Sequence, residues 1–429
     1  MKKNSPKVLI ISHNPVSTYQ SMGKTFASLF TSFDKSELCQ LYIYPAIPDV
    51  DMCSSFFRIT DKDVIKSYYK FHVKGEEIFV NENCHNIYEN AGDEKIYKNP
   101  KNKNDLRMIL RDLLWKFSSW NNKKLNKWLD REKPTSIFVA PGSATFLYDI
   151  ALRISKERKL PIVTYICDDF YFVEPAKTLL GKIRLSILKQ KIRELMKHTT
   201  KMIAICDALE KEYSKEFSVP VVKIMTGSGF VSENKPAIVD VPTTISYFGN
   251  IRCNRASSIA HIGQVLDCIN DREGTGFKID IYTSEKDKTI LENFTSIKSI
   301  NLCPFVSGDE FKKKFLSSQI LLHVEAFDEK NIDLVKHSVS TKIADYLACG
   351  IPVFAYAPSR ISSMEHLISN ECAISATSAE ELEGMLRKVF FDEKLRMDVV
   401  SKAIETAKKY HDYHRNSSLL KQVFLDMQG

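Results

Sequence analysis

The sequence predicts an α/β protein of two doubly wound parallel-sheet domains, and three observations carry that expectation. Short apolar runs of strand length alternate with longer helical patterns through both halves of the chain. At 429 residues the chain exceeds one ordinary core, so two domains of roughly 200 residues each are expected. Between the two alternations lies SENKPAIVDVPT (232–243), which has no clear period and carries two prolines, as an interdomain linker does.

In the first half, strands are expected at 7–12, 41–44, 136–140, 162–166, 202–205 and 221–225. Helical patterns lie between them at 24–33, 105–130, 144–158, 176–197 and 208–217, and residues 50–100 read as a less regular insertion. In the second half, strands are expected at 245–249, 279–282, 300–302, 320–324 and 353–356. The expected domains are residues 1–235 and 243–429.

Hydrophobic content of 44% is ample for globular folding, and no run approaches the roughly 18 apolar residues of a membrane span. The N-terminal MKKNSPKVLIISHNP has too short an apolar run and no small-residue cleavage site, so it reads as a first buried strand rather than a signal peptide. Ten dispersed cysteines without a CxxC pair fit reduced thiols in a cytoplasmic protein and argue against zinc; Cys167, Cys206, Cys303 and Cys349 lie in or beside apolar elements. A net charge of +8 favours anionic partners such as nucleotides or acidic lipid. No aromatic–basic or zinc-finger signature accompanies it, so nucleic acid is not an expected partner.

The most informative stretch is STKIADYLACGIPVFAYAP (340–358), preceded by ILLHVEAFD (320–328). A buried strand, a helix start and a second strand follow one another, which in an open α/β sheet puts the helix N-terminus where ligands bind. Ser340 and Thr341 stand at that N-terminus, Lys342 adds a positive charge, and Asp345 lies one turn further in. Donors for a diphosphate, followed by a carboxylate for ribose hydroxyls, predict a nucleotide site.

These residues resemble the donor-binding half of GT-B glycosyltransferases, in particular the retaining family 4. SHNPVSTYQSMGKTFASLFTSFDK near the N-terminus is similar to the first strand, loop and helix of that family, and YFGNIRCNR (247–255) to its second-domain entry. The resemblance implies two Rossmann-like domains facing a cleft, with the last helix (410–427) crossing back to the first domain. It implies a nucleotide-diphospho-sugar donor as substrate without a further cofactor, and a glycan or lipid-linked acceptor. The setting it implies is bacterial surface-glycan synthesis at the inner face of the cell membrane.

Residue by residue, Arg255 and Lys342 match the cations that neutralise the leaving diphosphate, with Arg252 beside them. Guanidinium suits phosphate because it bonds in a bidentate way and stays charged; a solvated basic surface is the alternative. Asp345 matches the ribose carboxylate. The family's pair of glutamates separated by seven residues is incomplete, since its first position falls on His337. Glu325 or Asp328 is then offered as the sugar contact, and a charge beside a buried strand needs a partner or a ligand. Phe305 and Val306 resemble the loop whose backbone reads the base, or are core. Gly23, in the loop after the first strand, lets backbone approach a ligand or is a turn glycine; GKT at 23–25 lacks the first glycine of a P-loop.

Asp168 and Asp169 end a strand, and Asp169 is offered as the group that orients or deprotonates the acceptor hydroxyl, with helix capping as the alternative. Asp49-Val50-Asp51 matches the DxD of metal-dependent enzymes but has no second ligand nearby in sequence, so no metal is expected. The 176–201 segment carries eight lysines and arginines against Glu194, with leucine and isoleucine opposite. Such a helix lies on an anionic membrane or packs its apolar side on its own sheet. Two rival functions stay open: a sugar-nucleotide epimerase of the same fold, and a non-catalytic partner subunit.

Overall fold

The computed structural model describes residues 5–17, 21–70, 75–80, 105–173, 176–230 and 238–427. The chain divides into two compact units, residues 1–226 with 413–429, and residues 227–412.

The first unit is built on an eight-stranded sheet: β1 (Val8–Ser12), β2 (Leu38–Tyr42), β3 (Ser55–Arg58), β4 (Glu76–Ile78), β5 (Ser136–Val139), β6 (Ile162–Ile166), β7 (Thr199–Ala204) and β8 (Val221–Lys223). Their order across the sheet is β4-β3-β2-β1-β5-β6-β7-β8. All neighbours are parallel except β3 and β4. VLIIS in β1 and IVTYI in β6 are buried along their whole length, as strands covered by helices on both faces must be. β3 and β4 fall in the segment expected to be an irregular insertion; at four and three residues they are too short to show a period in sequence. The single helix expected over 105–130 is two, Asp105–Phe117 and Lys123–Glu132. Asn122 starts the second, its side chain accepting from the N–H groups of Lys124 and Leu125.

The C-terminal helix, Tyr413–Asp426, belongs to this unit. Ser417 Oγ accepts from the Ser32 amide at 2.8 Å, and Lys421 reaches the buried Glu37 carboxylate at 2.7 Å. Phe424 meets Phe33 edge to face.

The second unit holds a six-stranded sheet of β9 (Thr244–Phe248), β10 (Lys278–Tyr282), β11 (Ile300–Cys303), β12 (Ile320–Val324), β13 (Val353–Tyr356) and β14 (Ile374–Ala376), in the order β11-β10-β9-β12-β13-β14. Every pairing is parallel. One core lies under helices Arg255–Glu273 and Ala379–Phe391, and a second under helices Thr341–Ala348 and Ser362–Ser369. The second unit starts at Gly227, ahead of the expected linker, because Ser228 is already tied into it through the His411 carbonyl and the Asp345 carboxylate. Residues 231–237 of that linker lie outside the described residues. Beyond them the buried Arg396 guanidinium donates to the carbonyls of Val239 and Asp240 as well as Val389 and Phe390, anchoring the chain as it enters β9.

Candidate active site

In the second sheet the strand order reverses between β9 and β12, where ligands of open α/β sheets bind. β9 follows β10 over five residue pairs, but its register with β12 covers Ile245 with Ile320 and Ser246 with Leu321. The carboxyl ends of these two strands form the site.

Lys342, in the first turn of helix Thr341–Ala348, sends its ammonium to the end of β9. Nζ donates to the Phe248 carbonyl at 3.0 Å and to the Tyr247 hydroxyl at 3.4 Å, and lies 4.5 Å from the Tyr247 ring centroid. Burial, and then the Arg255 charge, push its pKa down to about 8 against the opposing pull of Glu325. Next to it His323 on β12 is buried, its Nε2 3.1 Å from Ser363 Oγ. Burial, with Lys342 and Arg255 adding to it, lowers this imidazole to about 3, so it is neutral at pH 7.

Gly249 makes room for Lys342. Its φ of +128° is one that side-chain-bearing residues rarely adopt, and an added Cβ would stand 2.9 Å from Nζ. Gly249→Ala is therefore expected to displace the ammonium, lowering both the melting temperature and nucleoside diphosphate affinity. Calorimetric titration reads the second effect; wild-type affinity would remove Gly249 from the site.

Arg255 opens helix Arg255–Glu273 and is held in two places by Glu325: Nε to Oε2 at 2.7 Å and Nη2 to Oε1 at 2.9 Å. The Glu325 side chain is 7% exposed and that of Arg255 19%. The partner that a charge at the end of β12 requires is thus a guanidinium. Burial opposes the Arg255 charge, but Glu325 outweighs it and raises the pKa. Arg252, expected beside it on phosphate, is exposed and pairs with Glu285 at 2.5 and 3.1 Å.

Asp345 is buried, and its Oδ1 accepts from Ser228 Oγ at 2.7 Å. The hydroxyl that this carboxylate receives is one of its own unit. Ser340 precedes the helix without capping it by its side chain, and Thr341 is exposed at the first turn. After β11, Phe305 is 58% exposed, while Val306 belongs to the core.

A pocket of about 340 Å³ adjoins the carboxyl ends of β12 and β13. Phe327 and Tyr356 form its aromatic wall, ring centroids 4.5 Å apart. Polar groups line the rest: Asn254 bonded to Asp328 at 2.9 Å, Ser257, and His261 with Nδ1 2.8 Å from the Tyr356 hydroxyl.

The first unit holds the remaining predicted residues. Gly23 is not in a loop but in helix Ser21–Leu29, and a Cβ there would lie 2.6 Å from the Pro15 carbonyl. Its close approach is to residues 15–17 of its own chain. Asp169 accepts from the amides of Tyr171 and Phe172, both at 2.9 Å, and from Tyr213 at 3.1 Å, so its oxygen closes the turn after β6. Asp49 accepts from Ser17 and Asp51 pairs with Lys35. Among the described residues no group of three or more His, Cys, Asp or Glu is arranged to hold a metal ion.

One cluster escaped the sequence reading. His13, just after β1, is half-buried, with Nδ1 2.8 Å from Asn14 Oδ1 and Nε2 3.0 Å from Arg111 Nη2. Arg111 also donates to both Asp61 oxygens at 3.0 Å, and Trp115 donates to the same carboxylate at 2.7 Å. Burial, then Arg111, lowers His13 to about 4, so it accepts from the guanidinium. The His-Asn step after a strand was visible, but its partners are some 50 and 98 positions away.

Residues 264–422 match the glycosyl transferase-like family model. Solved structures align over almost the whole chain. The Anabaena protein HepE in complex with UDP and glucose gives a TM-score of 0.61 at 10% identity, over 97% of this chain and 99% of that one. Sucrose-phosphate synthase from Thermosynechococcus elongatus gives 0.60 at 9%, over 98% and 99%. A UDP-forming α,α-trehalose-phosphate synthase from Burkholderia vietnamiensis gives 0.56 at 8%, over 97% and 99%. This is a GT-B fold. No curated protein matches the sequence. At these identities the structures establish the GT-B fold alone, and the region similar to the glycosyl transferase-like model takes in the Lys342 helix and Glu325.

Proposed function

We propose that the chain transfers a sugar from a UDP-sugar to a glycan or lipid-linked acceptor, with retention and without a metal ion, in bacterial surface-polysaccharide synthesis. The observation that carries the nucleotide site is the Lys342 ammonium, held at the end of β9 under Gly249 at the reversal of strand order. As the bond from the anomeric carbon to the diphosphate breaks, the electron pair leaves with the phosphate oxygen. Lys342 and the N–H groups at the start of helix Thr341–Ala348 stabilise that charge. The acceptor oxygen bonds to the anomeric carbon on the face the diphosphate leaves, which keeps the configuration, and its proton passes to the departing phosphate oxygen. Asp345 would take the ribose by exchanging the Ser228 hydroxyl, which now donates to its Oδ1, for one of the ligand's. Glu325 is held by Arg255 and Asp328 by Asn254 and Asn331, and of the two Asp328 borders the pocket with the aromatic wall, so it is the better placed for the sugar. The HepE complex with UDP and glucose supports the choice of base, and the family resemblance supports retention and setting.

A thermal-shift panel of nucleotide sugars, followed by UDP-release assays with lipid-linked and glycan acceptors, tests this. Stabilisation by UDP-sugars and acceptor-dependent UDP release that persists in excess EDTA are expected. Conversion of the free nucleotide sugar without acceptor would identify an epimerase, and no release with any acceptor would leave a binding subunit. Activity abolished by EDTA and restored by magnesium or manganese would reopen the Asp49 and Asp51 reading.

A further inference from the structure

We propose that one face of the first unit docks on an anionic lipid bilayer. Three neighbouring helices build it: Asp61–Lys70, Asp105–Phe117 and Leu179–His198. The Tyr68 hydroxyl donates to the Leu114 carbonyl at 2.6 Å, joining the first to the second. The second and third meet where Asp105 accepts from Thr178 at 3.3 Å and pairs with Arg184 at 3.5 Å.

Each helix turns an apolar stripe to solvent. On the second, Leu106, Leu110, Leu113, Leu114 and Phe117 recur at helical spacing, all exposed, Phe117 by 70%. On the third, Leu179, Leu180, Ile183 and Ile187 do the same, Leu179 by 74%. The first adds Ile65, Tyr68 and Tyr69, the last 82% exposed. Single exposed apolar residues are ordinary, but stripes on three adjoining helices are not. The third helix does pack on its own unit through Leu188, Ile192, Leu195 and Met196, which accounts for its C-terminal half only.

Charge selects the occupant. Among the described side chains, every exposed ionic residue on these helices is basic: Lys62 and Lys66, Arg107 and Lys116, Lys182, then Arg193, which also donates to Tyr171, and Lys197 with His198, which share Glu194. The carboxylate residues are half-buried, Glu194 with its side chain 42% exposed. Asp61 is held by Arg111 and Trp115, Asp63 by Thr60, Asp105 by Arg184, and Glu194 by Lys156, while Asp112 is largely desolvated. A second copy of the same face would set cations against cations. Apolar side chains ringed by basic groups match the boundary of a negatively charged bilayer. Among the described residues no helix is long and apolar enough to cross a membrane, so the contact is interfacial. Two lysines singled out in the sequence serve the fold instead: Lys191 pairs with Asp149 and Lys189 lies 5.8 Å from the Tyr171 ring centroid. Lys177 and Lys182, flanking Leu179 and Leu180, are exposed and stand at the surface.

The test is co-sedimentation of the full chain with vesicles of phosphatidylglycerol and phosphatidylcholine in equal parts, against phosphatidylcholine alone. Binding to the anionic vesicles at low salt and release at high salt are expected. The K177E/K182E variant should bind at least about tenfold more weakly, since each of the two cations lost from the surface is worth roughly a fivefold factor. L179S/I183S should lose binding as well, with melting temperature and UDP affinity unchanged in both. Wild type that stays in solution, or variants that bind as wild type does, overturns the proposal. So does self-association that the same substitutions abolish in the absence of vesicle binding, which would give the face to a second copy.

Discussion

Replacing Lys342 with alanine is expected to cut UDP-sugar turnover and UDP affinity by at least about tenfold. The lost contact is a charge-assisted hydrogen bond in a desolvated site, typically about 1.5–3 kcal/mol, and each 1.4 kcal/mol is roughly a factor of ten. Tyr247, the Phe248 carbonyl and Gly249 already shape the space around the ammonium, so the effect should fall on binding rather than on folding. The pH dependence gives a second reading of the same group. Its pKa lies near 8 in the free protein, and a bound diphosphate favours the charged form and raises it. UDP affinity should therefore be flat from neutrality to just below pH 8 and weaken above it, by up to about tenfold per pH unit. Arginine at this position keeps its charge across that range, so Lys342→Arg should flatten the profile. Titration calorimetry in the alkaline range measures both. A wild-type profile flat to pH 9.5, or unchanged affinity in Lys342→Ala, would falsify the assignment.

Arg255→Ala is expected to cost the second unit more in stability than in donor affinity. Removing one partner of a buried ion pair leaves an uncompensated charge, a loss of about 3–5 kcal/mol. The stranded group would be Glu325, the more deeply buried of the two, so Arg255→Ala should be worse than Glu325→Ala. Replacing both with methionine should recover much of the loss, since a well-packed apolar pair avoids desolvating two charges. Denaturant melts of the two single variants and the double variant measure this. A wild-type melt for Arg255→Ala, with UDP affinity down tenfold, would instead make Arg255 a direct phosphate ligand held only loosely by Glu325.

These two residues show how far the sequence can be read. Lys342 and Arg255 were both visible as cations at helix starts beside strand ends, because the alternation of strand and helix fixes where a helix N-terminus falls relative to a sheet. Which of them faces a ligand was not visible. The Glu325 partner is 70 positions from Arg255, and neither its bidentate geometry nor its burial leaves a local trace. Asp169 is similar: a carboxylate at a strand end fits acceptor chemistry and turn closure equally until Tyr171, Phe172 and Tyr213 are seen to occupy it. Gly23 falls between the expected first strand and the helix expected from residue 24, but the helix starts at Ser21, and the glycine packs there against residues 15–17 where a side chain would collide.

By itself, the sequence determined the two α/β units, most of their parallel strands and the Ser340–Asp345 helix start, since these follow from local period and length. The short strands β3, β4 and β14 came only with the sheet, because three or four residues gain strand character from their neighbours rather than from a pattern of their own. Tertiary structure alone decided which charges cancel, Arg255 with Glu325 and Arg252 with Glu285, and which one, Lys342, keeps a depressed pKa at the strand reversal. It also decided that the apolar side of the basic helix is buried at one end and exposed at the other, since both halves carry the same amphipathic period and only the neighbouring helices differ.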